Sequence, residues 1–171
     1  LDSTERLLKL LDEQGPRLHR LLVRVTLRAD AAEDLLQDLF LKLRASPGFA
    51  KAEDPAAFAV RAAVNLAFDW HRQRARRRDT VSLPAELVSA PTDPLAGLVE
   101  REQMEQLVAA LQELPELQRL ALVLRHLEHV STEDVGKQLG KTPHQVRALC
   151  AKGLAQLRGR LSEVLNPEGF R

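Results

Sequence analysis

The chain has 171 residues and a mass of 19.1 kDa, with 25 Lys+Arg against 24 Asp+Glu, a formal net charge of +1 and a pI near 8.2. Taken whole, that balance points to no charged partner, and 8 Gly and 9 Pro exclude a collagenous or low-complexity chain. Aromatics are only 4%, with no Tyr and one Trp, so an all-α protein is expected, built as one domain or two compact ones. The single cysteine, Cys150, removes the disulfide-scaffold class and any Cys-based zinc site, and a reducing cytoplasm is the expected setting. No apolar run approaches the ~18 residues of a membrane span, and Leu1-Asp2-Ser3-Thr4-Glu5 carries no signal-peptide pattern. A soluble, untargeted chain is expected, with Leu1 in place of an initiator Met pointing to trimming at this end.

In chain order, Leu7, Leu8, Leu10 and Leu11 form an apolar stripe that halts at Gly15-Pro16 and resumes with Leu18, Leu21, Leu22 and Val25, as two helices or one kinked helix. Asp30 is expected to cap the next helix, in which Leu35, Leu36, Leu39, Phe40 and Leu43 face inward. Its other side carries Glu33, Asp34, Gln37, Asp38 and Lys42, with Leu41 stranded among them. Ser46-Pro47-Gly48 breaks this helix. Asp54-Pro55 then offers a cap and a first-turn proline for a long helix to about Arg78, with Phe58, Ala62, Leu66 and one of Phe68 or Trp70 turned inward.

From Asp79 to Gly97 the periodicity lapses, and Leu83-Pro84, Ala90-Pro91 and Asp93-Pro94 exclude a continuous helix there, so this stretch reads as a flexible linker. Helical spacing returns with Met104, Leu107, Val108, Leu111 and Leu114, pauses at Pro115, and continues through Leu120, Val123, Leu124 and Leu127. Ser131-Thr132-Glu133-Asp134 reads as a capping-box variant opening a short helix that Gly140 ends in the left-handed conformation. Thr142-Pro143 starts a second helix whose Val146 and Leu149 face back toward Val135 and Leu139, while Gly136 permits close approach of another helix. Together these make a helix-turn-helix.

Charge becomes informative once divided along these boundaries. Residues 58–78 hold six Arg against Asp69, for +5; residues 79–106 hold six acids against Arg101, for −5; residues 141–160 hold five cations and no acid, for +5. Near-neutrality is a cancellation of blocks, and the acidic stretch is expected to keep the basic helices off nucleic acid until they are separated. The second helix of the helix-turn-helix turns His144, Gln145, Arg147, Ala148, Ala151 and Lys152 outward. Arg and Gln suit base edges and Lys141 and Lys152 suit phosphates, which favours DNA binding over a helical hairpin with a solvated basic face. The arginine helix, from Arg61 to Arg78, places Trp70, Asn65 and Asp69 among the cations, as single-strand binding requires; a solvated face or a dipole-complementing C-terminus remains equally open.

The run Asp34-Leu35-Leu36-Gln37-Asp38-Leu39-Phe40-Leu41-Lys42-Leu43, then Asn65-Leu66-Ala67-Phe68-Asp69 leading into the arginines, the acidic Pro-punctuated linker, and Leu114-Pro115-Glu116 before the helix-turn-helix together resemble bacterial RNA polymerase sigma factors of the extracytoplasmic-function group. The resemblance covers nearly the whole chain, in order. It implies two small helical domains: a region-2 domain over residues 1–78, an acidic linker over 79–96, and a region-4 domain over 97–171. It further implies that Asp34, Gln37, Asp38 and Leu41 dock on the β′ clamp helices of core RNA polymerase, with the β flap as a second contact. Arg61, Asn65, Asp69, Trp70, Arg72, Arg74 and Arg76 would meet the minus-ten element, with a base captured by the loop from about Ala45 to Ala57. Lys141, Thr142, His144, Gln145, Arg147, Ala148 and Lys152 would hold the minus-thirty-five element as duplex, and the linker would thread the polymerase near its RNA exit path. The family often has Trp and Tyr where Phe58 and Val60 stand, Arg where Val64 stands, and further basic residues where Leu149, Ala151 and Leu154 stand. Promoter specificity is therefore not carried over.

His126 and His129, three apart, have no third ligand at metal spacing and are expected to serve a helix C-terminus instead. Cys150 reads as a small core residue. No phosphate loop, Ser/His/Asp arrangement or secluded carboxylate pair is present, so neither an enzyme nor a cofactor is expected. The competing reading is a polymerase-independent helix-turn-helix regulator whose N-terminal block is an effector or dimerisation domain; a weaker one is a module whose basic helices bind acidic protein. The Leu41-bearing acidic helix and the arginine helix favour the sigma factor. An anti-sigma partner is common in that family, and the apolar faces shared between the two blocks are its candidate target.

Overall fold

The computed structural model describes residues 3–77 and 94–165, and every regular element among them is helical. The linker expectation, as far as residue 93, lies outside the described residues. The chain divides into two compact units, each described by itself.

The first unit opens with α1 (Ser3–Thr26), a single helix that runs through Gly15-Pro16. Pro16 is exposed, so the main-chain bond it removes is lost on the solvent side, while Leu7, Leu10, Leu18, Leu21, Leu22 and Val25 form one buried stripe. Leu8 departs from the expected stripe and is 60% exposed.

Asp30 does not cap α2 (Ala29–Ala45); the cap position is Arg28, which makes no side-chain capping bond. The junction is organised by its neighbours instead. Leu27 adopts a left-handed φ of 61°, and the buried Thr26 hydroxyl donates to the Leu22 carbonyl (2.8 Å) and accepts from the Arg28 N–H (3.3 Å). Asp30 falls in the first turn, where its carboxylate accepts from Arg28 Nε at 2.9 Å. Along α2, Leu35, Leu39 and Leu43 are buried.

Ser46 ends α2 and caps α3 (Pro47–Ala50), its hydroxyl accepting from the Phe49 N–H at 3.2 Å. Asp54 caps α4 (Pro55–Arg77) as expected, accepting from the Ala57 N–H at 2.9 Å. Along α4, Leu66 and Phe68 are buried as expected, but Phe58 and Ala62 are only half-buried, and the stripe that packs inward is completed by Val60, Ala63, Val64 and Ala67. The shift has a steric reason. Alanines at 57, 59, 63 and 67 let the α4 backbone approach α1 and α2, the two helices it packs on, so the small residues take the inner face and the bulky Phe58 is displaced to its edge. His71 Nε2 lies 2.7 Å from the Val25 carbonyl, which only accepts, so Nε2 carries the proton and ties α4 to the end of α1.

The first helix of the second unit is α5 (Pro94–Gln112), with proline at its first position. It continues through α6 (Glu116–Leu122), which passes directly into a π-helical turn at Val123–Leu127, so the expected plain helix to Leu127 is widened in its last turn. His129 then turns left-handed at φ 54°. Arg119, 3% exposed, donates from Nη1 to the Gln112 carbonyl at 3.3 Å and so bonds the end of α5.

The helix-turn-helix is α7 (Thr132–Leu139) and α8 (Pro143–Leu165). Gly140 ends α7 with φ 63°, and Val135 and Val146 are fully buried between the two helices. The close approach at Gly136 is to the turn rather than to another helix: a Cβ there would stand 2.6 Å from the Lys141 carbonyl oxygen. Ala110, Leu114, Leu122 and Leu157 form one buried cluster of this unit, with Leu154 and Cys150 packed against it. Cys150 is thus the small core-edge residue expected, and burial pushes its thiol pKa up.

Two glycine substitutions of opposite sign follow. Gly136→Ala forces its methyl group onto backbone that cannot yield and lowers the stability of the second unit by about 1–3 kcal/mol. At Gly159 no atom lies within 4 Å of a built Cβ, so Gly159→Ala gains stability by up to about 1 kcal/mol through helix propensity. Chemical denaturation of the two variants beside the parent chain reads both.

Candidate nucleic-acid interface

Three outward surfaces carry the residues singled out in the sequence. On α2, Asp34, Gln37, Asp38 and Leu41 all stand exposed, at the i, i+3, i+4, i+7 spacing of one helix face and away from Leu35, Leu39 and Leu43. Leu41 is 57% exposed, a large apolar group among carboxylates and an amide. At the start of this helix Arg28 pairs with Asp30, and the Arg28 hydrogen bond holds the Asp30 carboxyl down at about 2.

On α4, Arg61, Asn65, Asp69, Arg72 and Arg76 recur at helical spacing along one stripe. Arg76 and Arg72 are exposed; Arg61, Asn65 and Asp69 are half-buried. Along the stripe Arg72 pairs with Asp69 and the Arg61 guanidinium lies 5.7 Å from the Phe58 ring centre, while on the other side of the helix, by the same spacing, Arg74 lies 5.2 Å from the ring centre of Trp70. These separations are within the range of cation–π attraction. Trp70 also meets His71 edge-on, with ring centres 4.8 Å apart.

Phe58 is the residue this surface adds to those expected. It sits at the corner of α3 and α4, its ring centre 6.1 Å from that of the buried Phe49, and continues the Arg61 stripe by one turn. Its signal in the sequence is its position three residues before Arg61, on the same helical face.

On α8, Thr142, His144, Gln145, Arg147, Ala148, Ala151 and Lys152 are exposed, and Lys141 is half-buried in the turn. Thr142 and Gln145 form a reciprocal capping box: Thr142 Oγ1 accepts from the Gln145 N–H at 3.2 Å, and Gln145 Oε1 accepts from the Thr142 N–H at 3.0 Å. Ser131 similarly caps α7, accepting from the Asp134 N–H at 3.1 Å and donating its own proton to Asp134 Oδ2 at 2.8 Å. The Lys137 ammonium (2.9 Å) and that hydroxyl hold the Asp134 carboxyl below the usual carboxylate range. His126 and His129 are exposed, and no group of three metal-ligating side chains occurs among the described residues. No helix among those residues is long and apolar enough to cross a membrane.

Two helical units, the second ending in a helix-turn-helix with a basic outward face, define a DNA-binding class of protein. Comparison with known proteins makes the class specific. The family model for sigma-70 region 2 matches residues 10–77, and that for sigma-70 region 4 matches residues 104–157. The RNA polymerase sigma factor CarQ of Myxococcus xanthus is 31% identical over 164 residues, covering 91% of this chain and 88% of CarQ. The ECF RNA polymerase sigma factor SigE of Mycolicibacterium smegmatis is 30% identical over 158 residues, covering 91% of this chain; the chain spans 61% of SigE. Among solved structures, the co-crystal structure of the sigma factor RpoE with the anti-sigma factor NepR from Bartonella quintana matches with a TM-score of 0.51 and 21% identity, covering 89% of this chain and 94% of that one, and so shares the fold. The chain belongs to the sigma-70 family of sigma factors, in its extracytoplasmic-function group.

The Arg28–Asp30 pair gives a pH-dependent outcome. A carboxyl lowered from 3.8 to about 2 in the folded chain contributes stability that is present above 3.8 and is lost as pH falls through about 2. A carbon-detected NMR titration of Asp30 should therefore find its midpoint near 2, and Arg28→Ala should return it toward 3.8.

Proposed function

We propose that this chain binds core RNA polymerase in the cytoplasm and directs it to promoters, with each of the three surfaces taking one part of that task. The observation that carries the reading is the coexistence, outside the helix-turn-helix, of an exposed polar helix face bearing Leu41 and an arginine stripe with the Phe58 ring beside Arg61. A regulator that acts alone on duplex DNA needs the helix-turn-helix and has no use for these two.

In this reading residues 1–78 form the region-2 domain, residues 97–171 the region-4 domain and 79–96 the link between them. Asp34, Gln37, Asp38 and Leu41 contact the β′ clamp helices: the apolar Leu41 inserts and the polar groups set register, while the β flap is met by the region-4 domain. Arg61, Asn65, Asp69, Trp70, Arg72, Arg74 and Arg76 act at the opened minus-ten element, where arginines track phosphates and Phe58 and Trp70 offer faces for unpaired bases. Lys141, Thr142, His144, Gln145, Arg147, Ala148 and Lys152 hold the minus-thirty-five duplex, with Arg147 directed to base edges and the lysines to phosphate. An anti-sigma factor is a further proposed partner, on the ground that the structurally similar B. quintana RpoE is bound by NepR.

Purified chain added to core polymerase should initiate at specific promoters, and Asp38→Arg should abolish co-elution with core while leaving helix content unchanged. High-affinity specific duplex binding by the isolated chain, with no association to core polymerase, would overturn the proposal in favour of the independent regulator.

The two DNA surfaces should separate in binding assays of holoenzyme on promoter variants. Arg147→Ala alters base preference within the upstream element, by roughly 1–3 kcal/mol at the affected position. Arg76→Ala weakens binding evenly across sequences and reduces the salt slope by about 0.7–0.9. An even effect of Arg147→Ala on all sequences would remove it from the base-reading set.

A further inference from the structure

We propose that Arg6, in the first turn of α1, is a positioning residue for base selection at the minus-ten element, because its guanidinium holds the last carbonyl of α3 and so aims the segment that leads to α4. Resting on the reading of residues 45–57 as the segment in which a base is captured, beside the α4 stripe, this names the side chain that keeps that segment in place.

A helix of four residues does not hold its own shape, so α3 takes its direction from anchors outside itself. Phe49 is one of them: it is fully buried, with its ring centre 6.1 Å from that of Phe58. Ser46 sets the near end through the Phe49 N–H. The far end lies on the surface, where Ala50 is exposed, and there Arg6 Nη1 donates to the Ala50 carbonyl at 2.7 Å, across 44 positions of sequence. That length is the one expected of a charge-assisted bond. Beyond it come Lys51, Glu53 and Asp54, all exposed, and the half-buried Ala52, whose N–H bonds the Phe49 carbonyl at 3.2 Å. The Asp54 cap of α4 fixes the other end of this short bridge. Its course is therefore pinned by Arg6 on one side and by Asp54 on the other.

The bridge runs beside the start of the arginine stripe. The Phe58 N–H bonds the Asp54 carbonyl at 3.1 Å, a Cβ at Gly48 would stand 3.4 Å from the Phe58 ring, and the Arg61 guanidinium lies 5.7 Å from that ring's centre. A base turned out of the strand at this corner meets the ring, the guanidinium and the exposed bridge together. Telling one base from another needs hydrogen-bonding groups held to within about 0.5 Å. Stacking on a ring and attraction to phosphate are sequence-tolerant, since every base has a π-face. Releasing the Ala50 carbonyl thus costs selection at the captured base and leaves the tolerant contacts in place. Arg6 acts through the backbone of α3, and its contribution is a donor of the right reach.

Transcription by the whole chain with core polymerase, on a promoter library randomised through the minus-ten element and with the transcribed templates sequenced, reads this directly. Arg6→Ala should weaken base preference at one position by about fivefold, the worth of one hydrogen bond, while preference at the other positions and co-elution with core stay as in the parent. Arg6→Lys keeps a cation that can donate and should restore most of that preference. Hydrogen exchange at the Ala52 amide should quicken in Arg6→Ala and return toward the parent rate in Arg6→Lys. An equal loss at every minus-ten position would mark a merely structural role and overturn the inference, and so would unchanged selection in Arg6→Ala. The combined variant Lys51→Gly, Ala52→Gly, Glu53→Gly, run in parallel, separates the two levels. A loss at one position there without any Arg6→Ala effect overturns this inference alone, whereas unaltered selection in the combined variant overturns the base-capture reading beneath it.

Discussion

The second unit depends on one close approach of backbone to backbone, where α7 passes the turn that leads to α8. The Lys141 N–H donates to the Gly136 carbonyl at 2.8 Å, and the Lys141 carbonyl oxygen occupies the space where a Cβ of residue 136 would be. Only glycine allows the chain to fold back this tightly, and Gly140, at φ 63°, supplies the left-handed step that makes the reversal. With the turn fixed, α7 packs on α8, Val135 and Val146 have no exposed surface, and the direction of α8 is set. Which residues of α8 face outward is therefore a consequence of packing at 136, 140 and 146. His144, Gln145, Arg147, Ala148, Ala151 and Lys152 are what remains on the other side.

A comparable constraint acts in the first unit, built from polar groups instead of glycines. Thr26 satisfies two main-chain groups at the end of α1, Leu27 takes the strained left-handed step, and His71 reaches from α4 to the Val25 carbonyl. One corner thus joins all three long helices of the unit. The alanine-rich face of α4 then sits close against α1 and α2. That packing leaves the acidic face of α2 and the arginine stripe of α4 as outer surfaces of a single rigid body.

The parts of this architecture legible in the sequence were those with local, short-range causes. Asp54, Ser131 and Thr142 each cap the helix that the residue order assigned to them, and Gly140 ends α7, because each needs only the next three residues to act. The exposed faces of α2 and α8 were legible too, since large leucines and valines mark the opposite side at unambiguous spacing. Where the apolar residues are small, the pattern failed: α4 is so rich in alanine that Phe58 and Ala62 looked like its inner side, although Val60 and Val64 hold it. Asp30 had the chemistry of a cap, but the cap position was settled by Thr26 and Leu27 upstream. The widened turn at Val123–Leu127 has no composition of its own and was not visible. Nor was the capping role of Gln145, since its oxygen's engagement depends on the backbone at Thr142.

The two basic surfaces differ in a way that net charge conceals. On α4 the cations are placed against rings and an acid: Arg61 over Phe58, Arg74 over Trp70, Arg72 with Asp69. On α8, Arg147 and Lys152 project from a helix whose first turn carries no acid. Unpaired bases offer flat faces and a flexible backbone, so a surface for them gains from rings with guanidinium groups already held beside them, which lowers the ordering cost of binding. Duplex DNA hides its base faces and presents edges and phosphates, which call for extended side chains and point charges on a helix that fits the groove. On the proposed reading each basic block therefore carries the form of nucleic acid that its local packing suits. The equal charges of the two blocks, +5 each in the sequence, serve different kinds of contact.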